Sequence, residues 1–396
     1  MRIVILSPVF PYPPADGDRI RIFNIIKELK SIGKHELHLV TFCKANEVNT
    51  KNELKKYFDT VSTVVLDEKK IIKAAVNGIF SQVPLNVSSY ENAEMKILVK
   101  KVVEKHSPDL IYVYRLRMAQ YGAEYTIPKV IDYVDSLALF MKRSVIFEKR
   151  ILKKIYYVLD SSRVEKYERN VANDFQSVFI NSEEDAQYLD NKNIITVPNG
   201  AMTATKSSKK KKNNVFTVGF MGNMPYGPNQ EAVQFFINKV WKKYFINDKN
   251  IKLIIAGNGA ERFSKLVNGG NVEFKKNVLN VEQEVLSWDM SVVPVRYGAG
   301  RQNKIMDSWA CKVPVVAAPF AAKGVYGKDG YNILIAKNEN EYAQKIKQLM
   351  SDPVFGKKIA LNAKKTLKKY FDWKKSGMII NKVIIEVAKQ KTQRKK

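Results

Sequence analysis

The sequence predicts an α/β protein with two doubly wound domains. Short apolar runs alternate with longer segments in which apolar residues recur at helical spacing. This alternation occurs twice along the 396 residues, and the turn signal at 193–200 and the lysine-rich run 207–214 separate the two copies. Each half therefore predicts a parallel sheet with helices on its faces, and ligands are expected at the carboxyl ends of its strands.

The first half begins as a β–loop–α–β pattern. A strand at 2–6 precedes a proline-rich loop, and a helix at 19–30 follows, in which Phe23, Ile26 and Leu29 share one face. The remaining predictions for this half are strands at 38–42, 61–66, 110–114, 129–132 and 177–180, and helices at 92–105 and 151–174.

The second half repeats the alternation and ends in helices. It predicts strands at 216–220, 252–256, 272–274, 290–295, 313–317 and 332–336, and helices at 229–241, 281–288, 303–310, 339–350, 357–369 and 373–388. The chain then has three parts. Residues 1–200 form the first domain, 201–370 the second, and 371–396 a C-terminal helix that packs back toward the first domain and ends in a basic tail.

The chain carries a large excess of positive charge. It has 67 Lys and Arg against 39 Asp and Glu, which gives a net charge of +28 and a pI of about 9.7. Such a chain is expected to associate with an anionic partner, unless its lysine content only reflects a biased genome. No signature of a common RNA- or DNA-binding domain accompanies the charge, so no nucleic-acid partner is predicted.

Cysteines and histidines indicate neither a disulfide framework nor a metal centre. Cys43 and Cys311 lie far apart, and His35, His38 and His106 are interpreted as too few and too scattered for a metal cluster. The strand-like start MRIVILSP differs from a signal peptide, and no run of about 18 apolar residues appears. We therefore expect no metal, no spanning helix and a cytoplasmic location.

Several segments match known motifs in a fixed order. Residues 11–21 read PYPPADGDRIR, 198–200 read PNG, 219–224 read GFMGNM, 302–310 read QNKIMDSWA, and 371–373 read FDW. Together they resemble family 4 of the retaining glycosyltransferases, and in particular its members that build exopolysaccharides. The resemblance covers nearly the whole chain.

The resemblance implies the GT-B fold, in which two Rossmann-like domains face a central cleft. Residues 1–200 would bind the acceptor and 201–370 the nucleotide-sugar donor. The implied activity is a hexosyl transfer, with retention, from a nucleotide diphosphate sugar to a cell-envelope or exopolysaccharide glycan on a polyprenyl-diphosphate lipid, without a cofactor or metal. The alternative is a non-catalytic GT-B subunit that binds a nucleotide sugar or a partner glycosyltransferase.

The clearest candidate site is the segment 297–310, which predicts a strand end, a glycine loop and a helix. Gly300 would let the backbone approach a ligand, and the helix N-terminus with Arg301 and Lys304 would hold a diphosphate. By resemblance, Lys304 stabilises the leaving group, and Asp307 binds the ribose where the family has Glu. The alternative is an ordinary surface pair of Lys304 with Asp307 and a solvated Arg301. The donor-binding residues that the resemblance implies are Gly17, Gly222, Asn223, Val278, Gly300, Arg301, Gln302, Asn303, Lys304 and Asp307.

Some positions depart from the family's pattern. Ala299 stands where the family often has a Glu that faces the donor sugar, and Tyr112 and Tyr114 stand where many members have a His. Retention in this family is described as same-face substitution, in which the departing phosphate oxygen takes the acceptor proton. That route requires no side-chain base.

The first domain supplies the candidates for acceptor binding. The predicted acceptor-side residues are Arg19, Arg21, Tyr114 and Arg115. Asp135 follows a strand and joins Arg301 and Lys304 as a predicted catalytic residue. The alternatives are exposed helix arginines at 19 and 21, and carboxylates at 132 and 135 that cap the next segment.

The stretch 140–157 mixes apolar residues with lysines and arginines. A basic amphipathic stretch suits an anionic membrane surface, as does the basic region 357–396. We therefore expect peripheral attachment to the inner face of the cell membrane. The alternative is an ordinary domain helix with a solvated lysine face.

Overall fold

The structure, a computed structural model, describes residues 1–67, 78, 81–202, 215–267 and 269–393, and their side chains as far as residue 390. The lysine-rich run predicted as a linker at 207–214 lies outside these residues. The chain divides into two compact domains. The first comprises Met1–Val145, Arg150–Asn199 and Trp373–Lys396, and the second comprises Ile146–Lys149 and Gly200–Asp372.

In the described part of the first domain, one parallel 7-stranded sheet has the order β3-β2-β1-β4-β5-β6-β7. The strands are β1 (Arg2–Ser7), β2 (Glu36–Cys43), β3 (Thr60–Val65), β4 (Leu110–Tyr114), β5 (Lys129–Val134), β6 (Ser177–Ile180) and β7 (Ile194–Thr196). In the register of β1, Val4 lies opposite His38 on β2 and opposite Ile111 on β4. The strand order reverses between β1 and β4, and such a reversal opens a crevice at the carboxyl edge of a sheet.

Helices cover both faces of this sheet. They are α1 (Gly17–Ile32), α2 (Leu85–Ser88), α3 (Ala93–His106), α4 (Ala119–Gly122), α5 (Leu137–Phe147), α6 (Ile151–Asp174) and α7 (Glu183–Leu189), with 3-10 segments at Ala45–Lys56 and Leu116–Met118. Asp16 accepts a hydrogen bond from the backbone N–H of Arg19 and so caps α1, and Asn92 caps α3 in the same way.

The first domain has an apolar core on each side of the sheet. Val113 of β4 packs on one side with Val164 of α6, and Tyr112 packs on the other side with Ile25 of α1 and with Ile384 near the C-terminus. Strands buried on both faces carry near-continuous apolar runs, which is why β4 reads LIYVY.

The described part of the second domain contains a parallel 6-stranded sheet of order β10-β9-β8-β11-β12-β13. The strands are β8 (Phe216–Met221), β9 (Ile251–Ala256), β10 (Val272–Lys275), β11 (Met290–Val293), β12 (Val315–Ala317) and β13 (Leu334–Ile335). Its order reverses between β8 and β11. As in the first domain, this reversal opens a ligand crevice at the carboxyl ends of the two central strands, β8 and β11.

The remaining described helices follow β8 in the sequence. They are α8 (Gly227–Phe235), which continues into a π-helical turn at Phe236–Trp241, α9 (Lys242–Tyr244), α10 (Val281–Leu286), α11 (Asn303–Ala310), α12 (Pro319–Lys323), α13 (Glu339–Ser351), α14 (Pro353–Tyr370) and α15 (Trp373–Gln393), with a 3-10 segment at Ala260–Leu266. Among the described helices, none combines the length and apolar character needed to cross a bilayer.

Helix α15 belongs to the first domain although it follows the second in sequence. It packs on α1 at close range, since a Cβ at Gly377 would lie 2.4 Å from the Cβ of Glu28. The hydroxyl of Ser376 donates to the carbonyl oxygen of Pro198 at 2.7 Å. The glycine and this hydrogen bond together hold the C-terminal helix against the domain in which the chain begins.

The predicted fold class, α/β with two doubly wound domains, is confirmed. Helix α5 was not predicted, although Ser136 caps it locally: the Ser136 hydroxyl oxygen accepts from the N–H of Leu139 at 3.2 Å. A second cap comes from α6, where the carboxylate of Glu168 accepts from the N–H of Leu137 at 2.6 Å and from the hydroxyl of Ser136 at 2.8 Å. The cap from α6 is the part that no neighbouring residue in the sequence could indicate.

Candidate functional site

Two loops meet at the carboxyl edge of the second sheet, after β8 and β9. The backbone of Gly257 has φ of +123°, and a Cβ there would lie 2.1 Å from the carbonyl oxygen of Gly222. The amide of Asn258 donates to the side-chain oxygen of Asn223 at 3.0 Å. The predicted donor residues Gly222 and Asn223 therefore lie in a tightly packed loop pair, and Asn223 itself is exposed.

Lys304 lies in the first turn of α11 and is held by two neutral oxygens. Its Nζ donates to Oδ1 of Asn229 at 2.8 Å and to Oε1 of Gln302 at 3.1 Å. The ammonium also lies 5.4 Å from the ring centroid of Phe220. Burial lowers the pKa of Lys304 to about 8, against a smaller opposing effect of Asp307.

Asn229 joins the β8 loop to α11, and the sequence did not single it out as a site residue. Its amide donates to the carbonyl oxygen of Asn223 at 2.9 Å, while its oxygen accepts from Lys304. The side chain is buried, next to Pro228 at the start of α8. The local signal in the sequence is Pro228 directly before it, because proline favours the first turn of a helix.

Asp307 lies one turn beyond Lys304 on the same helix, as the sequence predicted. Both residues are partly buried. Burial raises the pKa of Asp307 to about 7, and the positive charge of Lys304 opposes that rise. Two ionisable groups whose pKa values are displaced toward neutrality now stand together at the start of α11, which is a recurring property of functional sites.

Arg301 is packed into its own domain. Its guanidinium donates to the carbonyl oxygen of Gly324 and lies 4.9 Å from the ring centroid of Tyr326 and 5.4 Å from that of Phe371. The side chain is buried. The alternative of a solvated Arg301 is therefore wrong, because the side chain is buried and aromatic stacking fixes its guanidinium.

The other predicted donor residues are spread over several elements. Gly300 has φ of +67° just before α11, and Asn303 is the first residue of that helix. Val278 follows β10 and packs, half-buried, near the buried Trp288. Gly17 is exposed at the start of α1 in the first domain.

In the first domain, Arg115 brings together two carboxylates that are far apart in sequence. Its guanidinium bonds Asp18, and its Nη1 lies 3.3 Å from Oδ1 of Asp135 and 3.2 Å from the carbonyl oxygen of Tyr133. The backbone of Arg115 has φ of +69°, just after β4. The cluster of Asp18, Arg115 and Asp135 thus lies at the carboxyl edge, where β1 and β4 reverse the strand order.

The pKa values of the two carboxyl groups are shifted in opposite directions. Burial raises the pKa of Asp135, and the attraction of Arg115 only partly offsets this. Burial also acts on Asp18, but there Arg115 overrides it, so the pKa of Asp18 lies below its usual value. Asp18 is the residue that sequence analysis missed, although it lies in the quoted PYPPADGDRIR segment.

Three predicted acceptor-side residues are already engaged by their own domain. The predictions for Arg21 and Tyr114 are wrong, because both side chains have 0% exposed surface. Arg21 pairs with the buried Asp132, and the Tyr114 hydroxyl donates to the carbonyl oxygen of Asp18 at 2.7 Å. Arg19 is mostly buried and lies 2.6 Å from a carboxylate oxygen of Glu47.

Two of the histidines meet in the fold. The rings of His38 and His106 stack with centroids 3.7 Å apart, and Glu36 lies beside them. The interpretation that the histidines are too scattered for a metal cluster is therefore wrong. The end of α3 lies beside the start of β2, which brings His106 and His38 into contact although they are far apart in sequence.

The second domain matches a known family. Residues 215–352, from the start of β8 to the end of α13, match the model of group 1 glycosyl transferases. This stretch is similar to the group 1 glycosyl transferases. It contains Lys304, Asn229 and Asp307, so these three residues of the candidate site lie inside the matched region.

Relatives of the whole chain are distant. A 44.6 kDa protein in the cps region of Klebsiella pneumoniae is 23% identical over 392 residues, covering 94% of this chain and 97% of that protein. An uncharacterized glycosyltransferase of Methanocaldococcus jannaschii is 24% identical over 396 residues, covering 97% of this chain and 98% of that protein. The match of the second domain and this relative together support a glycosyltransferase.

Solved structures show the same fold over the whole chain. Anabaena HepE, in complex with UDP and glucose, has a TM-score of 0.68 at 17% identity and covers 98% of this chain and 100% of its own. Sucrose-phosphate synthase from Thermosynechococcus elongatus has a TM-score of 0.72 at 13% identity and covers 98% and 99%. The matched stretch thus lies in the second of two Rossmann-like domains in a GT-B fold.

Proposed function

We propose that the protein is a retaining glycosyltransferase that moves a sugar from a nucleotide diphosphate sugar to a lipid-linked cell-envelope or exopolysaccharide glycan. The observation that supports a nucleotide-sugar donor is the ammonium of Lys304, which Asn229 and Gln302 hold at the start of α11. An ammonium has three donors, and these two partners are neutral. A diphosphate would take the third donor and supply the missing negative charge.

The geometry supports stabilisation of a leaving group. The first N–H groups of α11 and the positive end of its dipole favour an anion beside Lys304. In the proposed step, the bond from the anomeric carbon to the diphosphate oxygen breaks, and a bond to the acceptor oxygen forms on the same face. The acceptor proton passes to the departing phosphate oxygen. Lys304 acts by meeting the negative charge that grows on the diphosphate.

Asp307 has a separate part in donor binding. A carboxylate one helical turn from Lys304 can accept hydrogen bonds from the ribose hydroxyls, as the family's Glu does by resemblance. Its shorter stem brings the ribose closer to α11. The complexes of Anabaena HepE with UDP and with UDP-glucose support a nucleotide sugar as the donor.

The first-domain cluster supports a neutral glycan end rather than a phosphate. Arg115 is shared between Asp18 and Asp135, so its positive charge is already paired within the cluster. A phosphate would meet repulsion there, whereas carboxylates accept hydrogen bonds from sugar hydroxyls. We therefore assign Asp135 to the acceptor hydroxyls and place any lipid diphosphate away from Arg115.

Helix α6 supports attachment to an anionic membrane. Its inner face packs in the core, and a second apolar face is exposed: Ile151 74%, Leu152 84%, Ile155 48%, Val158 51% and Leu159 65%. The exposed Lys149, Arg150 and Lys154 flank that face. Apolar residues at this spacing beside basic ones complement an anionic lipid surface, where a lipid-linked acceptor would lie.

A second candidate function is a non-catalytic subunit that binds a nucleotide sugar or a partner glycosyltransferase. The observation that favours it is Ala299, a buried residue where the family often has the Glu that faces the sugar. The two candidates differ in turnover. Only the enzyme would release nucleotide diphosphate from a donor at a rate that depends on Lys304.

The deciding experiment combines binding and turnover. The purified protein is screened by thermal shift against UDP, GDP, ADP, CMP and their sugars, with Mg²⁺ or with EDTA. At 100 times Kd, a ligand that binds only the native state adds about 2.7 kcal/mol of stability. We expect one nucleotide to stand out, with its effect lost in Lys304→Ala, kept in the exposed control Lys347→Ala, and unaffected by EDTA. Donor binding without release of nucleotide diphosphate would favour the non-catalytic subunit.

A further inference from the structure

A cluster of three potential metal-ligating side chains lies in the first domain, away from the Asp18–Arg115–Asp135 cluster. Glu36 and His38 point to the same side of β2, and His106 is the last residue of α3. Their candidate ligand atoms all lie within 4.8 Å of one another. The cluster is at the amino ends of the parallel strands, and so at the opposite edge of the sheet from Asp18, Arg115 and Asp135.

His38 presents one ring nitrogen to the cluster and uses the other for support. Its Nδ1 lies 2.9 Å from the hydroxyl of Thr60 on β3. Its Nε2 is buried without a hydrogen-bond partner and lies 3.2 Å from Oε1 of Glu36. If Nδ1 carries the proton toward Thr60, the lone pair of Nε2 points into the cluster. Metal-bound histidines are typically supported in this way through their second nitrogen.

His106 completes the set from the end of a helix. Its ring stacks on His38 at 3.7 Å between centroids and 25° between planes. It is half-buried at the end of its helix. The carbonyl end of α3 carries the negative end of the helix dipole, which favours a cation.

We propose that Glu36, His38 and His106 bind a divalent transition metal of the Zn²⁺ class. Two imidazole nitrogens and one carboxylate oxygen form a ligand set that Zn²⁺ accepts, with water in the fourth position. Ligand bonds of about 2.0–2.2 Å require the rings to open from their stacked arrangement, and His106 supplies that movement. The ion would tie the start of β2 to the end of α3. This inference does not depend on the proposed transferase function.

The test uses the full chain, free of metal and of any affinity tag. Zn²⁺ is titrated against a chromophoric chelator, and Co²⁺ is added separately to record its visible spectrum. We expect one Zn²⁺ site per chain and the intense bands of four-coordinate Co²⁺. Glu36→Gln and His106→Gln should each weaken binding by more than about tenfold and abolish the bands, because each removes a ligand. Thr60→Val should weaken binding by about ten- to a hundredfold, since it removes the support of His38.

The control is Glu104→Gln, an exposed carboxylate on α3 two residues before His106. It removes a similar charge from the same helix end and should leave the Zn²⁺ affinity unchanged. Circular dichroism of each variant checks that the fold is kept. Zn²⁺ binding that His106→Gln leaves unchanged would overturn the proposal, as would the absence of a one-to-one site. Either result would leave the two rings as a stacked structural pair.

Discussion

The ammonium of Lys304 lies 2.8 Å from the side-chain oxygen of Asn229, and this bond joins two helices that start 76 residues apart, at Gly227 and Asn303. The same asparagine holds the loop after β8 through the carbonyl oxygen of Asn223. One neutral side chain thus positions the positive charge and the loop on either side of the proposed diphosphate site. Asn229 is a positioning residue for Lys304.

Asn229→Ala should weaken binding of the nucleotide diphosphate by about ten- to a hundredfold. Hydrogen bonds to charged groups contribute about 1.5–3 kcal/mol, and about 1.4 kcal/mol is a factor of ten. The measurement is calorimetric titration with the nucleotide found in the screen. Gln234→Ala, at an exposed position of the same helix, is the control. Wild-type affinity in Asn229→Ala would show that Lys304 needs no support from α8.

Nucleotide binding should be strongest between about pH 7 and pH 8, where Asp307 is ionised and Lys304 is still protonated. The pKa of Lys304 is lowered to about 8, so its charge is lost as the pH rises above that value. The pKa of Asp307 is raised to about 7, so its carboxylate is protonated as the pH falls below that value. Affinity measured from pH 5.5 to 10 should therefore pass through a maximum.

Two variants test separately the fall in nucleotide affinity at alkaline pH and the fall at acid pH. Lys304→Arg keeps its charge throughout this range, so the alkaline fall should disappear even if the affinity is lower at every pH. Asp307→Asn cannot ionise, so the acid limb should flatten. A profile that both variants leave unchanged would place the titration in the nucleotide or in other groups.

The fold was predicted well from the sequence because strands buried on both faces and amphipathic helices carry strong local patterns. The predicted bounds of α6 and α11 equal the observed ones, Ile151–Asp174 and Asn303–Ala310. The strand β7 (Ile194–Thr196) was missed, because it lies inside the stretch 193–200 that was interpreted as a turn signal. Short edge strands take their identity from the neighbour with which they pair, and a local pattern cannot show that neighbour.

The candidate site was predicted only where its residues are neighbours in sequence. Lys304 and Asp307 share one helix, so spacing and resemblance placed them together. Asn229 and Asp18 reach their partners across the sheet, which no single segment reveals. Arg21 was wrongly placed at the surface, although it is four residues before Ile25 and so shares the buried face of α1.

Arg21→Met should destabilise the protein by about 3–5 kcal/mol, because it leaves Asp132 buried without its charge partner. Arg21 donates from Nε to Asp132 at 2.9 Å and from Nη1 to Asn199 at 2.7 Å, and neither Arg21 nor Asp132 has exposed surface. Chemical denaturation measures the loss. The exposed Lys27→Met on the same helix is the control. A loss below about 1 kcal/mol would mean that water reaches Asp132.

Leu152→Glu combined with Leu159→Glu should reduce binding to anionic vesicles and leave binding of the nucleotide unchanged. Both side chains are more than half exposed on α6, so the substitutions remove membrane contact without opening the core. Basic residues near an anionic leaflet contribute about 1 kcal/mol each, and the glutamates add repulsion to the lost apolar contact. Co-sedimentation with phosphatidylglycerol vesicles measures the bound fraction, and phosphatidylcholine vesicles show how much of it depends on charge.

The control is Leu361→Glu, at a position that is 53% exposed on α14 in the other domain, and this variant should keep wild-type binding. Equal loss in the control would mean that any added negative charge weakens binding, and the specific role of α6 would then be wrong.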